Sequence, residues 1–170
     1  MLHFAEYDSP VGKLLLRSNG SALTGLWIGR ELPQKAQEDA VVRRALLWLD
    51  SYFRGEAPPV TVPVVPEGTA FQMLVWELLQ SIPYGETRTY GELAREAAAR
   101  LGKEKMSAQA VGQAVGSNPI SILIPCHRMV GAKGQMTGYA WGIEKKMGLR
   151  SHEKKTKGDS GNAFCGISCD

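Results

Sequence analysis

The 170-residue chain has no apolar run approaching the roughly 20 residues of a membrane span. Met1–Tyr7 has neither the basic start nor the long apolar stretch of a secretory signal. The expectation is a cytoplasmic protein with no membrane partner. Cysteine is scarce and odd in number: Cys126, Cys165 and Cys169. An odd total with no signal segment argues against a disulfide framework. Cys165 and Cys169 have no further His/Cys cluster near them, and zinc usually takes four ligands. No metal is expected, and residues 156–170 read as a disordered tail. Residues 1–66 contain His3 as their only histidine and no cysteine at all, so this part offers no catalytic constellation and reads as scaffold. An excess of one charge is also lacking, since the formal net charge is only +3.

What charge there is lies unevenly. Residues 1–66 carry seven Lys/Arg against seven Asp/Glu, whereas residues 67–157 carry thirteen against eight. A basic second half suits a polyanion such as nucleic acid, and it also suits an ordinary solvated surface. The composition, 44% apolar and 22% charged, is that of a soluble globular protein. A break in composition coincides with the change in charge: residues 57–68 hold Pro58, Pro59, Pro63 and Pro66. That density favours an extended connector. The division that follows is an N-terminal unit over 1–56, the connector over 57–68, a second unit over 69–155 and the tail.

In the first unit, residues 2–7, 12–18 and 22–28 read as short strands separated by Ser9-Pro10, Asn19-Gly20 and Gly29. Asn19-Gly20 is a hairpin signal. Asp39–Phe53 reads as a helix, with Val42, Leu46, Leu49 and Phe53 at three- and four-residue spacing. The second unit is helical. Thr69 with Gln72, and Thr89 with Glu92, fit the capping box, predicting helices over 70–81 and 90–100. Ser107 can cap a third over 108–116. Small residues fill that third helix, which fits either a helix-turn-helix or plain close helix packing. The fold class expected is α+β: a small strand-rich N-terminal domain followed by a helical, winged-helix-like C-terminal domain.

The chemistry concentrates after this. Ser121–Ile124 reads as a strand that stops at Pro125, since proline cannot extend a paired strand. Cys126, His127 and Arg128 then follow in succession: a nucleophile, a base and a cation. Cys126 is read either as a buried core cysteine or as a reactive thiol. A hairpin is expected through Gly131–Gly134 and a last helix over 143–154, whose charge density marks it as a solvated face.

Several of these pieces resemble one family when taken in order. They are Ile82-Pro83-x-Gly85, Thr89-Tyr90-x-x-Leu93-Ala94, Ala110-Val111-Gly112, Asn118-Pro119, Ile124-Pro125-Cys126-His127-Arg128, Gly138-Tyr139 and a late Glu153. Across residues 67–154 the chain resembles the O6-alkylguanine-DNA alkyltransferases, the methylated-DNA–protein-cysteine methyltransferases. The resemblance implies an irreversible, single-turnover transfer of an alkyl group from guanine O6, and from thymine O4, to Cys126. A thiol of ordinary pKa about 8.5 needs help at neutral pH. The resemblance makes His127 its base through a bound water and Glu153 the group that orients the imidazole. It makes Tyr90 the proton donor to the departing guanine and Asn118 the brace of the turn.

The partner implied is double-stranded DNA carrying the lesion, docked through its minor groove with the nucleotide flipped out. The contacts implied are Thr89, Ser107, Ala108, Gln109, Ala110, Gly112, Arg128 and Tyr139. No cofactor is needed, and a monomer suits a protein consumed by its own reaction. In two places the chain departs from the family, and the first is Gln109, which stands where an arginine fills the gap left in the base stack. An amide can intrude and hydrogen-bond there, but it lacks charge and reach. The segment 97–106 is also longer than in the family's shortest members. Three other readings stand beside this one. They are a lesion sensor without chemistry, a transcription regulator using only its helices, and a cysteine hydrolase, which would need an oxyanion hole.

Overall fold

The computed structural model describes residues 1–135, 139 and 141–157. Its first layer is an antiparallel sheet of β1 (His3–Ser9), β2 (Gly12–Ser18) and β3 (Leu23–Ile28), in that order. The turn expected at Asn19-Gly20 forms, and β3 begins one residue later than expected, at Leu23. Asn19 Oδ1 accepts from the backbone N–H groups of Ser21 and Ala22, at 2.9 and 3.0 Å, so the asparagine side chain shapes the loop.

Helix α1 (Ala40–Phe53) packs on this sheet and is capped by Asp39, whose carboxylate accepts from Val42 N. Its buried stripe is Val41, Val42, Ala45, Trp48, Leu49 and Tyr52. Leu46 and Phe53, expected inside, are only partly buried. The helix is rotated so that Trp48 and Tyr52 face inward. Wholly burying a side chain such as Leu49 stabilises the fold by about 1.5–3 kcal/mol.

The outer edge of β3 is the first place where the two halves of the chain meet. Leu23 donates to the Pro63 carbonyl and accepts from Val65 N, so the proline-rich segment runs beside the strand. Further along, Leu26 donates to the Pro119 carbonyl and accepts from Ser121 N. An edge that would otherwise offer unpaired N–H and C=O groups is therefore covered. The cover includes the residues that lead to Cys126.

Helices α2 (Ala70–Gln80), α3 (Tyr90–Leu101) and α4 (Ala108–Gly116) follow. Both expected capping boxes are present at Thr69/Gln72 and Thr89/Glu92, and Ser107 Oγ accepts from Ala110 N. Gly102, in the left-handed region at φ 67°, ends α3 where a side chain would cost strain. The Trp76 indole donates to the Ala114 carbonyl at 2.8 Å and ties α2 to α4.

The strand expected over Ser121–Ile124 does not form. Ile120 makes one isolated parallel bridge with Leu26, and residues 121–124 turn, with Ile122 at φ 72°. These residues are apolar because they are buried, not because they belong to a sheet. Cys126–Arg128 form one turn of 3-10 helix. Next, β5 (Met129–Val130) pairs in parallel with the short strand β4 (Arg88–Thr89). The hairpin expected through Gly131–Gly134 appears as a tight turn in which Gly131 N donates to Gln135 O. The residues at 136–138 that would return lie outside the described ones.

The last helix, α5 (Ile143–Thr156), is not the solvated face expected of it. Lys146, Leu149, Glu153 and Thr156 are buried along one side, three of the four being polar. Thr156, assigned to the tail by composition, closes the helix with its hydroxyl 2.6 Å from that of Tyr84. The remaining tail residues, with Cys165 and Cys169, lie outside the described ones.

Candidate active site

The turn that leads to Cys126 is built around Asn118. Its amide Nδ2 donates to the Ile124 carbonyl at 2.7 Å, while its Oδ1 accepts from Ile120 N at 3.0 Å. One side chain thus braces the loop from both directions; Cys126 N donates to Ile124 O at 2.8 Å across Pro125, and Arg128 N donates to Pro125 O at 3.0 Å to close the 3-10 turn. The thiol borders a pocket of about 210 Å³ that Tyr90, Gly112, Val115 and Asn118 line on the helical side. Tyr139 and Trp141 line it from the segment before α5. Gly112 lies against the Tyr90 ring, and a Cβ there would stand 3.7 Å from it. The Trp141 indole donates to Ser121 Oγ at 2.7 Å.

Burial pushes the Cys126 thiol up from its ordinary value, and the Asn118 amide, the Tyr139 hydroxyl and the Lys146 charge pull it back part of the way. The Tyr139 hydroxyl is buried near Cys126 and Ser121, without a well-formed hydrogen bond to either. Lys146 is wholly buried on α5. Burial brings its ammonium down to about 8, against the attraction of Cys126. This lysine sits in a run of charges, where nothing local marks it for burial.

Below the thiol lies a second polar layer centred on Glu153. His127 and Glu153 are 0% and 2% exposed, and His127 Nε2 is 2.6 Å from Glu153 Oε2. Arg128 binds the same carboxylate with Nε at 2.9 Å on Oε1 and Nη2 at 3.0 Å on Oε2, and its Nη1 donates to the Ile82 carbonyl. Gly85 N donates to Oε1 at 3.0 Å from a residue with φ 78°, where a Cβ would strike the Lys157 side chain. The fifth donor comes from the first unit: Tyr52 Oη, on α1, donates to Oε2 at 2.6 Å.

Burial alone would raise the Glu153 pKa. His127 and Arg128 outweigh it and hold the carboxyl well below the usual carboxylate range. The bidentate arginine keeps Glu153 ionised whichever form the imidazole takes. Burial pushes His127 below its ordinary value, against the pull of Glu153. An ionised carboxylate only accepts, so Nε2 carries the proton facing it and Nδ1 is left basic. Nδ1 is buried and has no hydrogen-bond partner among the described residues.

Cys126, His127, Glu153, Tyr90 and Asn118 therefore converge on one pocket and the layer beneath it. Of the residues expected at DNA, Ser107, Ala108 and Gln109 are exposed at the start of α4, and Ala110 is partly so. Thr89 has its hydroxyl engaged as the α3 cap. Arg128 commits its guanidinium to Glu153 and Ile82 instead of presenting it outward, and Tyr139 buries its hydroxyl near Cys126 and Ser121. The sequence reading missed Tyr52 and Lys146. Among the described residues no group of three or more His, Cys, Asp or Glu is placed to hold a metal.

Comparison with known proteins agrees with this geometry. Residues 2–66 match the family described as 6-O-methylguanine DNA methyltransferase, ribonuclease-like domain, and residues 70–155 match the DNA binding domain of the same description. A methylated-DNA–protein-cysteine methyltransferase of Mycobacterium leprae is 40% identical over 159 residues, covering 91% of this chain and 93% of that one. One from Haemophilus influenzae is 43% identical over 160 residues, covering 90% and 87%. The crystal structure of Mycobacterium tuberculosis OGT in complex with DNA superposes with a TM-score of 0.79 at 40% identity, over 95% of this chain and 99% of that one. With both halves matched in order, and a relative 40% identical over 91% of its length, the chain belongs to the 6-O-methylguanine DNA methyltransferase family.

Proposed function

We propose that Cys126 takes the alkyl group in a direct reversal of DNA damage, acting once per molecule on O6 of guanine and also on O4 of thymine. The protein is a methylated-DNA–protein-cysteine methyltransferase, and DNA is its partner. The observation that carries the residue assignment is the placement of Cys126 on a pocket between α4 and the Tyr139–Trp141 segment, with the His127–Glu153 pair beside it.

In the reaction, the Cys126 thiol gives its proton to His127 Nδ1 through one water. The sulfur attacks the alkyl carbon, a C–S bond forms, and the C–O6 bond breaks with its electron pair going to the base. Tyr90 donates a proton to the departing guanine and is reprotonated at the expense of the imidazolium, so the thiol proton ends on the base. The products are unmodified guanine and a thioether. None of the described residues at the pocket can cleave that thioether, and the reaction calls for no cofactor.

The target atom lies inside the duplex, so the nucleotide must flip, at a cost of a few kcal/mol in unstacking. The start of α4, with Ser107, Ala108, Gln109 and Ala110, is the part that enters the minor groove. Its small side chains permit close backbone approach. Gln109 fills the space left in the stack. Residues 69–155 carry these roles, residues 1–56 support them, and the protein acts as a monomer.

The test is intact-protein mass after mixing with a duplex containing O6-methylguanine, followed by peptide mapping. The expected result is a stoichiometric gain of one methylene on Cys126, absent in Cys126→Ala. Lesion-selective binding without an adduct would make the protein a sensor and overturn this reading. So would the absence of both adduct and lesion preference.

A further inference from the structure

Glu153 Oε2 accepts from three donors, His127 Nε2, Tyr52 Oη and Arg128 Nη2, and Oε1 accepts from Gly85 N and Arg128 Nε. A carboxylate offers about four lone-pair sites, so its five donors compete. The contacts from Tyr52 and His127 are equally short, at 2.6 Å each. Tyr52 is wholly buried and held in place by rings from α1, α5 and the loop after α2. Trp48 stacks on it at 5.2 Å, Phe53 and Tyr84 meet it edge-on at 4.9 and 5.7 Å, and the His152 ring lies 5.2 Å away. Its phenol cannot swing away without unpacking that cluster.

We infer that Tyr52 is a positioning residue for alkyl transfer, its phenol setting how strongly Glu153 holds the His127 imidazole. This rests on the reading of Cys126 and His127 given above. A carboxylate saturated by neutral and cationic donors attracts an imidazolium less than a free one does. His127 then remains neutral and basic near pH 7 while its ring is still fixed through Nε2. The first unit thereby takes part in the catalytic apparatus through Glu153. The other charged groups facing the pair are accounted for. Arg128 and Lys146 both oppose protonation of His127. Tyr84 faces Tyr52, and its own hydroxyl is engaged with Thr156.

The test compares wild type with Tyr52→Phe, which deletes the hydroxyl and keeps the ring. Two readouts are used: the His127 titration by 15N NMR, and the pH profile of single-turnover methyl transfer from an O6-methylguanine duplex. With one competitor gone, Glu153 holds imidazolium more tightly. The His127 midpoint and the acid limb of the profile are expected to rise together by roughly half a pH unit or more. Tyr84→Phe, which removes a hydroxyl not bonded to Glu153, should leave both in place. 3-Fluorotyrosine incorporated at position 52, a stronger donor of nearly the same shape, should move both the opposite way, and it covers the case in which the phenylalanine variant fails to fold.

A uniform loss of rate with an unmoved limb would reduce Tyr52 to a packing residue and overturn the inference. A shift in the His127 midpoint without any methyl transfer would instead overturn the reading of Cys126.

Discussion

The Asn118 amide holds the Ile124 carbonyl at 2.7 Å across the turn that delivers Cys126. That turn has no strand pairing of its own beyond the single bridge from Ile120 to Leu26, and the asparagine adds two side-chain bonds to the turn's own backbone bonds. Replacing Asn118 with Ala leaves the buried Ile120 N–H without its partner and the Ile124 carbonyl with Cys126 N alone. The expected loss is about 1–3 kcal/mol in stability, measured by urea denaturation. Methyl transfer at neutral pH should slow further than the stability loss explains, because Asn118 also favours the thiolate. A variant with wild-type rate and reduced stability would show that the brace is only structural.

The Gly112–Tyr90 contact separates folding from function. A Cβ at position 112 meets the Tyr90 ring at an ordinary van der Waals distance of 3.7 Å. Alanine also gains about 0.5–1 kcal/mol over glycine inside a helix. Gly112→Ala should therefore raise the melting temperature. Yet Gly112 lines the pocket, and the added methyl takes space from the substrate. The expected outcome is a more stable protein with slower transfer, most clearly for alkyl groups larger than methyl. A faster or unchanged rate across alkyl sizes would show that the base does not sit against this face.

The Glu153 carboxyl is held well below its ordinary 4.5, and the direction fixes the pH dependence of stability. A carboxyl with a depressed folded-state pKa binds fewer protons folded than unfolded. Its contribution is complete above the unfolded value and fades as the pH falls below it. Wild type should lose stability progressively below about pH 4.5. Glu153→Gln removes this component and leaves Arg128, only 11% exposed, without its counter-charge. The variant should be less stable at neutral pH by about 3–5 kcal/mol, the range for breaking a buried pair, and should show a flatter acid limb. Equal acid slopes in the two proteins would contradict the assignment.

Lys146 sets a limit at the alkaline end. Its pKa of about 8 means that the positive charge favouring the Cys126 thiolate fades as the pH rises through that value. Thiol ionisation alone would make the transfer rate climb steadily with pH. The expected profile instead flattens above about pH 8. In Lys146→Met the rate should be lower at neutral pH, with the climb displaced to higher pH and no inflection near 8. An unchanged profile would remove Lys146 from the electrostatics of the thiol.

These predictions rest on residues of very different legibility. The caps at Thr69, Thr89 and Ser107 are local events, written in side chains three residues from the N–H groups they satisfy, and the sequence shows each one. The Pro-Cys-His-Arg block is equally local. The polar face of α5 is different, because Lys146, Glu153 and Thr156 are buried only through partners far away in sequence. Glu153 is met by Tyr52, Gly85 and His127. No apolar periodicity marks such a face, so composition alone reads it as solvated. Ser121–Ile124 failed for the opposite reason. Its apolar residues report burial, which a strand and a tight turn share. Tyr52 reads as one more aromatic in an amphipathic stripe until the fold puts its hydroxyl on a carboxylate 101 residues away.

Gln109 is exposed on the first turn of α4, in the position proposed to fill the gap left by a flipped nucleotide. A neutral amide gives no counterion release and shorter reach than a guanidinium, so affinity there depends on hydrogen bonding alone. Gln109→Arg adds one cation to the groove-facing end of the helix and touches nothing in the buried layer. Binding to duplex DNA should tighten, and the slope of log affinity against log salt should steepen by about 0.9. If flipping limits the wild-type rate, transfer from double-stranded substrate should accelerate while transfer from the free modified base does not. A steeper salt slope without faster transfer would assign Gln109 to DNA contact rather than to flipping. An unchanged slope would place the α4 N-terminus outside the DNA interface altogether.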